Sequence, residues 1–281
     1  MTTSASPDPA PSVRVAAVQM VSGVALDPNL RAAEALIAQA AAAGAELVVL
    51  PEYFCLMGAR DSDKLALREP DGHGPIQQFL AEQARRHGIW LAGGTLPLQA
   101  DTPDRVRNTT LVHDPQGRRM ARYDKIHLFS FSRGDESYDE SRTIQAGREV
   151  GGFEMTSRAG VRLKVGLSIC YDLRFPELFR AMGQPDLILV PAAFTATTGR
   201  AHWETLLKAR AIENLCFVLA AAQGGVHENG RATFGHSMLI DPWGNVVARH
   251  ADGPGVAIGE VVPHLTSGWR SQLPALAHRV L

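Results

Sequence analysis

The chain has 281 residues, enough to bury a sizeable core as one large α/β domain or two small ones. Hydrophobic residues make up 45%, charged residues 20%, and the net charge is −1, so no basic surface is on offer to nucleic acid or to an anionic membrane. No apolar run approaches a bilayer span, and the three cysteines (Cys55, Cys170, Cys216) are widely spaced with no CxxC pair, which argues against a disulfide framework or zinc site and for a reducing cytoplasm.

The opening residues 1–12, MTTSASPDPAPS, lack the basic start and apolar core of a secretion signal and read as a disordered arm. With no repeat and no linker beyond them, a single domain is expected over 13–281. Residues 13–20 (VRVAAVQM) are a first strand. Asp27 then reads as the cap of an Ala-rich helix with Leu30, Ala33, Leu36 and Ile37 on one face, ending near Gly44. A compact apolar strand, 47–50, runs straight into Pro51 and Glu52. Residues 58–73 suit a surface loop, 74–87 have helical spacing, and 89–95 form the next strand. Residues 107–113 and 118–123 flank Asp114-Pro115-Gln116-Gly117 as a hairpin. This hairpin leads to Asp124, Lys125, Ile126 and His127. The aperiodic stretch 130–152 reads as a long loop, a common place for function.

Next comes GLSICYDLRFPEL. Val165, Leu167 and Ile169 alternate as a buried strand that delivers Cys170 to a strand-to-helix turn, presented outward with backbone N–H groups nearby. A helix over 175–182 and a strand over 186–190 follow. A Thr-rich loop at 194–199 precedes an amphipathic helix, 202–214, with Trp203, Leu206, Leu207 and Ile212 as core contacts. Residues 216–222 are a continuous apolar strand with Cys216 in the core. Paired strands at 235–240 and 245–249 and a last strand at 256–262 complete the pattern. The tail, 267–281, is mixed and open to a partner subunit. Strand–helix alternation with inserted hairpins predicts mixed sheets covered by helices on their outer faces, an α-β-β-α layering.

Glu52, Lys125 and Cys170 each fall at the C-terminal end of a strand, where sites assemble in α/β sheets. Alone, each has a plain reading: a solvated strand end, a lysine that snorkels to water, and a small buried hydrophobe. Together they make chemical sense. An ammonium favours the thiolate, a carboxylate takes the proton and returns it to a leaving amine, and the ammonium also holds a tetrahedral oxyanion.

The segments LPEYF, YDKIHLF and SICYDLRFPE, in that order, resemble the Glu, Lys and Cys motifs of the nitrilase superfamily of carbon–nitrogen hydrolases. The resemblance runs from Val13 to the last strand. It implies Glu52 as general base, Lys125 as oxyanion stabiliser and Cys170 as nucleophile. Glu140, in YDESRT, stands where the family has a second glutamate that positions the lysine, and the Tyr171 N–H would complete the oxyanion hole. TTGRAHWE and FGHSMLIDPWG are most similar to the Nit branch, and AAAQGGVHENGRATFGHSM is closer to its deaminated glutathione amidases than to ω-amidases for short α-keto acid amides. Tyr171-Asp172 replaces the Trp-Glu usual in nitrilases, which implies amides over nitriles. The implied reaction is hydrolysis of a small carboxylate-bearing amide through a thioester, releasing ammonia and a carboxylic acid. An ω-amidase, an N-carbamoyl amino acid amidohydrolase or a nitrilase of the same superfamily is the alternative. Arg174 is the residue suited to a substrate carboxylate, against a structural ion pair with Asp172 or Glu177. Phe194 and Thr198 resemble pocket-wall positions. The resemblance also implies a homodimer or larger homo-oligomer and no cofactor; Gly93-Gly94 and Gly224-Gly225 lack the dinucleotide spacing. Competing readings are a Cys-His hydrolase using His127 or His236, a metal hydrolase, for which the ten histidines give no HExxH, and a non-catalytic binding protein on the same fold.

Overall fold

Strand Val13–Gln19 dictates the layering, because both of its faces are apolar. Val13, Val15 and Ala17 pack into one core with Leu163, Val165 and Leu187, whereas Ala16 and Val18 pack into another with Ala33, Ile37, Ile76 and Leu80. A strand buried on both sides needs a cover on each; here one face meets a second sheet and the other meets helices. The computed structural model describes residues 11–134 and 136–280. Residues 1–10 of the expected arm lie outside the described residues.

In the first sheet, Val13–Gln19 runs antiparallel to Gly255–Val261 and parallel to Leu47–Val49, which is parallel to Trp90–Ala92. Strand Val106–His113 follows antiparallel and pairs in turn with Leu96–Gln99 and Arg119–Asp124. In the second sheet, Arg162–Leu167, Leu187–Ala192 and Phe217–Ala222 are parallel, flanked by Gly151–Thr156 on one side and by Ser237–Ile240 and Val246–His250 on the other. Helices Leu26–Ala42 and Pro75–His87 cover the first sheet, and Ala196–Asn214 contributes Trp203, Leu207 and Ala211 to the core of the second. The α-β-β-α arrangement of mixed sheets is therefore present. No helix among the described residues is long and apolar enough to cross a membrane.

Four local expectations are corrected. Residues 130–152 are not a plain loop: Ser130–Arg133 and Glu136–Asp139 form a hairpin, with Phe131 opposite Tyr138, followed by a 3-10 turn at Glu140–Arg142 and strand Gly151–Thr156. Only ring packing of Phe129 on Phe131 and Tyr138, invisible to a period-2 pattern, marks this pairing. The Thr-rich segment 194–199 is largely the first turn of helix Ala196–Asn214, capped by Thr195, whose hydroxyl accepts from the Thr198 N–H. Asp27 does not cap its helix; it lies in the first turn, where its charge complements the helix dipole. Ile212 is 49% exposed, since the buried face runs through Trp203, Leu207, Ala211 and Asn214.

The two sheets are tied together at the edge that carries the site. The Gly224 N–H donates to the Met20 carbonyl (2.9 Å), and the Gln223 side chain accepts from the Ser22 N–H (3.0 Å) while donating to the carbonyl of Glu52 (3.0 Å). Gly94, at φ +52°, presses on the same turn; a Cβ there would sit 2.1 Å from the Pro51 carbonyl oxygen, so any side chain at 94 displaces Glu52.

Burial pushes the Cys55 and Cys216 thiols up to about 12. In the unfolded chain these thiols lose their protons near pH 8.5, so between there and pH 12 the folded state binds more protons and its stability falls as pH rises. The expected slope in urea unfolding above about pH 9 is roughly 1.4 kcal/mol per pH unit for each thiol. Cys216→Ala should make that slope shallower by one proton; an unchanged slope would contradict the assignment.

Candidate active site

Glu52 follows strand Leu47–Val49 and points between the sheets, 1% exposed. Its Oε1 accepts from Asn108 Nδ2 and from Lys125 Nζ, both at 2.9 Å, and its Oε2 accepts from the Ala193 N–H at 3.0 Å. A carboxylate offers about four acceptor positions. Three are filled by these donors, and the carboxylate lines the same recess as Cys170.

Lys125 does not snorkel; it is fully buried. Its Nζ donates to Glu52 Oε1 and to both oxygens of Glu140, at 2.9 and 2.7 Å. Burial alone would lower its pKa, but the Glu140 and Glu52 carboxylates override this and raise it, so the ammonium stays charged. Glu140 is fixed from the other side by the Tyr53 hydroxyl (2.7 Å) and the Phe129 N–H (2.7 Å). Burial would raise its pKa; Lys125 outweighs that and holds it below the usual carboxylate value.

Cys170 opens a 3-10 turn, Cys170–Arg174, directly after strand Arg162–Leu167 and Ser168-Ile169. Its φ is +49°, a left-handed conformation disfavoured for a residue with a Cβ; Tyr53, beside Glu52, stands at +57°. Asp172 clamps the turn. Its carboxylate accepts from the Ile169 N–H (2.8 Å), the His127 N–H (3.0 Å) and the Tyr123 hydroxyl (2.7 Å), with His127 Nδ1 2.7 Å away. The thiol is buried in a recess rather than presented outward. Burial, then the Glu52 charge, push its pKa up, and Lys125 offsets only part of this. The expected ammonium-stabilised thiolate is thus disfavoured, and burial with the Glu52 charge holds the proton on sulfur.

The recess is lined by Glu52, Phe129, Cys170, Tyr171, Arg174, Phe194, Thr198 and Arg231, and is open to the extent of about one water. Seven of the eight expected site residues line it, Glu140 among them, and Lys125 stands behind, bonded to Glu52 and Glu140. Arg174 lies 5.8 and 5.4 Å from the Tyr171 and Phe194 ring centroids and near His202 Nδ1 (3.3 Å), and pairs with neither Asp172 nor Glu177. No histidine lines the recess: His127 stacks on Phe175 and bonds Asp172, and His236 stacks on Phe234. Among the described residues no group of His, Cys, Asp and Glu is arranged to hold a metal ion. Beside the recess lies a wider cleft of about 410 Å³, walled by Tyr53, Lys64, Tyr138, Asn229 and Arg231. Sequence reading missed Asn108, Tyr53, Lys64 and Arg231. Tyr53 and Arg231 lie inside the segments LPEYF and AAAQGGVHENGRATFGHSM, and Asn108 is a polar residue in the buried strand Val106–His113.

The carbon–nitrogen hydrolase family model matches residues 14–271. A Synechocystis protein called deaminated glutathione amidase is 43% identical over 94% of this chain and 97% of its own. A Yersinia enterocolitica protein of the same name is 39% identical over 95% and 93%. The solved Caenorhabditis elegans NitFhit protein superposes with a TM-score of 0.84 at 37% identity; 96% of this chain is matched, against 65% of that longer one. The matched region spans the Glu52, Lys125 and Cys170 segments, and the chain belongs to the carbon–nitrogen hydrolase family.

Proposed function

We propose that this hydrolase cleaves a small carboxylate-bearing linear amide through a thioester on Cys170, with deaminated glutathione as the substrate. The observation that carries the chemistry is one buried recess lined by both Cys170 and a Glu52 carboxylate that Lys125 already holds. The names of the relatives at 39–43% identity support the substrate.

In this reading Cys170 Sγ attacks the amide carbon as its proton passes to Glu52, so the nucleophile ionises only in the act of attack. The carbonyl oxygen becomes an oxyanion held by Lys125 Nζ and the Tyr171 N–H. Lys125 has three N–H donors and all three are engaged at rest. Its bidentate contact with Glu140 is the one able to drop to a single bond and free a proton for the oxyanion. Collapse breaks the C–N bond, and Glu52 returns its proton to the leaving nitrogen. Water then attacks the thioester with Glu52 as base, the C–S bond breaks, and the acid and the thiol are released. Arg174, without a carboxylate partner, meets the acyl-side carboxylate.

The test is a panel of deaminated glutathione, an α-keto-ω-amide, an N-carbamoyl amino acid and a nitrile, scored for both cysteinylglycine and ammonia. Cleavage of deaminated glutathione, reduced about 10³-fold or more in Cys170→Ala, is expected. Turnover of another member alone would overturn the substrate, and no turnover by folded protein would overturn the reading.

A further inference from the structure

Arg231, in the segment HENGRATF, has no part in the chemistry above, yet it stands where the recess at Cys170 meets the wide cleft and lines both. Its Nη2 donates to the Ala193 carbonyl (3.1 Å), and its guanidinium lies 5.0 Å from the Tyr138 ring centroid. Its Nε is buried with no hydrogen-bond partner among the described residues, and it forms no ion pair with a carboxylate there. Lys64 lines the same cleft. Its Nζ donates to Thr143 Oγ1 (3.2 Å) and lies 5.7 Å from the Tyr53 ring centroid, again with no carboxylate partner.

The other charges of the cleft are accounted for. Glu140 is held by Lys125, Asp139 by Ser141 and Arg142, and Arg60 by Asp63. Asp61, exposed at the rim, is the remaining carboxylate. The cleft therefore presents a guanidinium fork and an ammonium that form no ion pair with a carboxylate among the described residues. Burial lowers the Lys64 pKa; the Asp61 and Glu140 charges oppose this, and the Lys125 and Arg231 charges add to it.

We infer that Arg231 and Lys64 form a carboxylate subsite for the leaving-group half of the substrate, so that the favoured amides release an amine that itself ends in a carboxylate. The inference rests on the proposed amide hydrolysis and deepens it. An amide carries a group on each side of its C–N bond, and of the two adjoining spaces the recess is much the narrower. Arg174 lies on the recess side and serves the acyl half, which leaves the cleft of about 410 Å³ for the amine half. A planar fork with an ammonium in the same cleft suits a carboxylate at the end of a dipeptide-sized group.

The experiment compares deaminated glutathione with its C-terminal carboxamide, a pair differing only in that charge. The unmodified protein should favour the carboxylate by about tenfold or more in kcat/KM, the size expected of a charge-assisted contact. Lys64→Met, which keeps the apolar stem, and Arg231→Lys, which keeps the charge but loses the fork, should each bring that ratio towards one. Equal rates for the two substrates, or an undiminished ratio in both variants, would overturn the subsite. A second arm needs no turnover: cysteinylglycine and its amide are titrated into Cys170→Ala, with and without Lys64→Met. Tighter binding of the carboxylate form, lost with Lys64→Met, supports the subsite even if the panel refutes the substrate. Absent or equal binding of the two overturns it.

Discussion

The Glu52→Gln protein is expected to lose about 10²–10⁴ in kcat, the usual contribution of a positioned general base. At the same time its Cys170 thiol should become easier to ionise. Burial is the largest influence holding the proton on sulfur and remains in the variant, but the next is the Glu52 charge. Removing that charge leaves Lys125 as the nearest strong field. Iodoacetamide should then alkylate Cys170 faster at pH 8 in the dead variant than in the active protein. A merely structural Glu52 would give slower turnover with unaltered alkylation, and retention of turnover within tenfold would remove Glu52 from the role of base. The two readouts move in opposite directions only if one carboxylate both restrains and activates the nucleophile.

Lys125→Met should be inactive and markedly less stable. The ammonium is the shared counter-ion of Glu52 and Glu140, and its removal leaves two buried carboxylates facing each other. Breaking a buried pair in this way costs about 3–5 kcal/mol, roughly 10 °C in Tm for a chain of this size. The pH dependence supplies the sign. In the unaltered protein Glu140 is held below its unfolded value, so its contribution is present above about pH 4.3 and lost as pH falls through its lower folded value. In the variant, like-charge repulsion raises the carboxylate pair, so stability falls as pH rises and is recovered in mild acid, where one proton is shared. Melting curves at pH 5 and pH 8 check this: the deficit should be smaller at pH 5. An equal deficit at both would mean that lost packing, not charge, accounts for the effect.

How much of this was legible in advance follows from the range over which each interaction acts. Strand Val13–Gln19, helix Pro75–His87 and the parallel strands behind Cys170 could be read because their apolar spacing is local, and spacing encodes which faces are buried. Three polar residues at strand ends could be singled out because sheets place strand ends together, and motif order supplied their chemistry. The hairpin Ser130–Arg133 with Glu136–Asp139 escaped, since its pairing depends on rings that meet only after folding. The protonation of Cys170 escaped for the same reason. By itself the sequence determined which groups are available and which elements carry them; only the tertiary structure decided that burial and two carboxylates outweigh one ammonium at the thiol. It also left Arg231 and Lys64, 167 positions apart in the chain, unpaired on one cleft wall. Electrostatic sums depend on distances through the fold, and those distances are set by sheet packing rather than by separation along the chain.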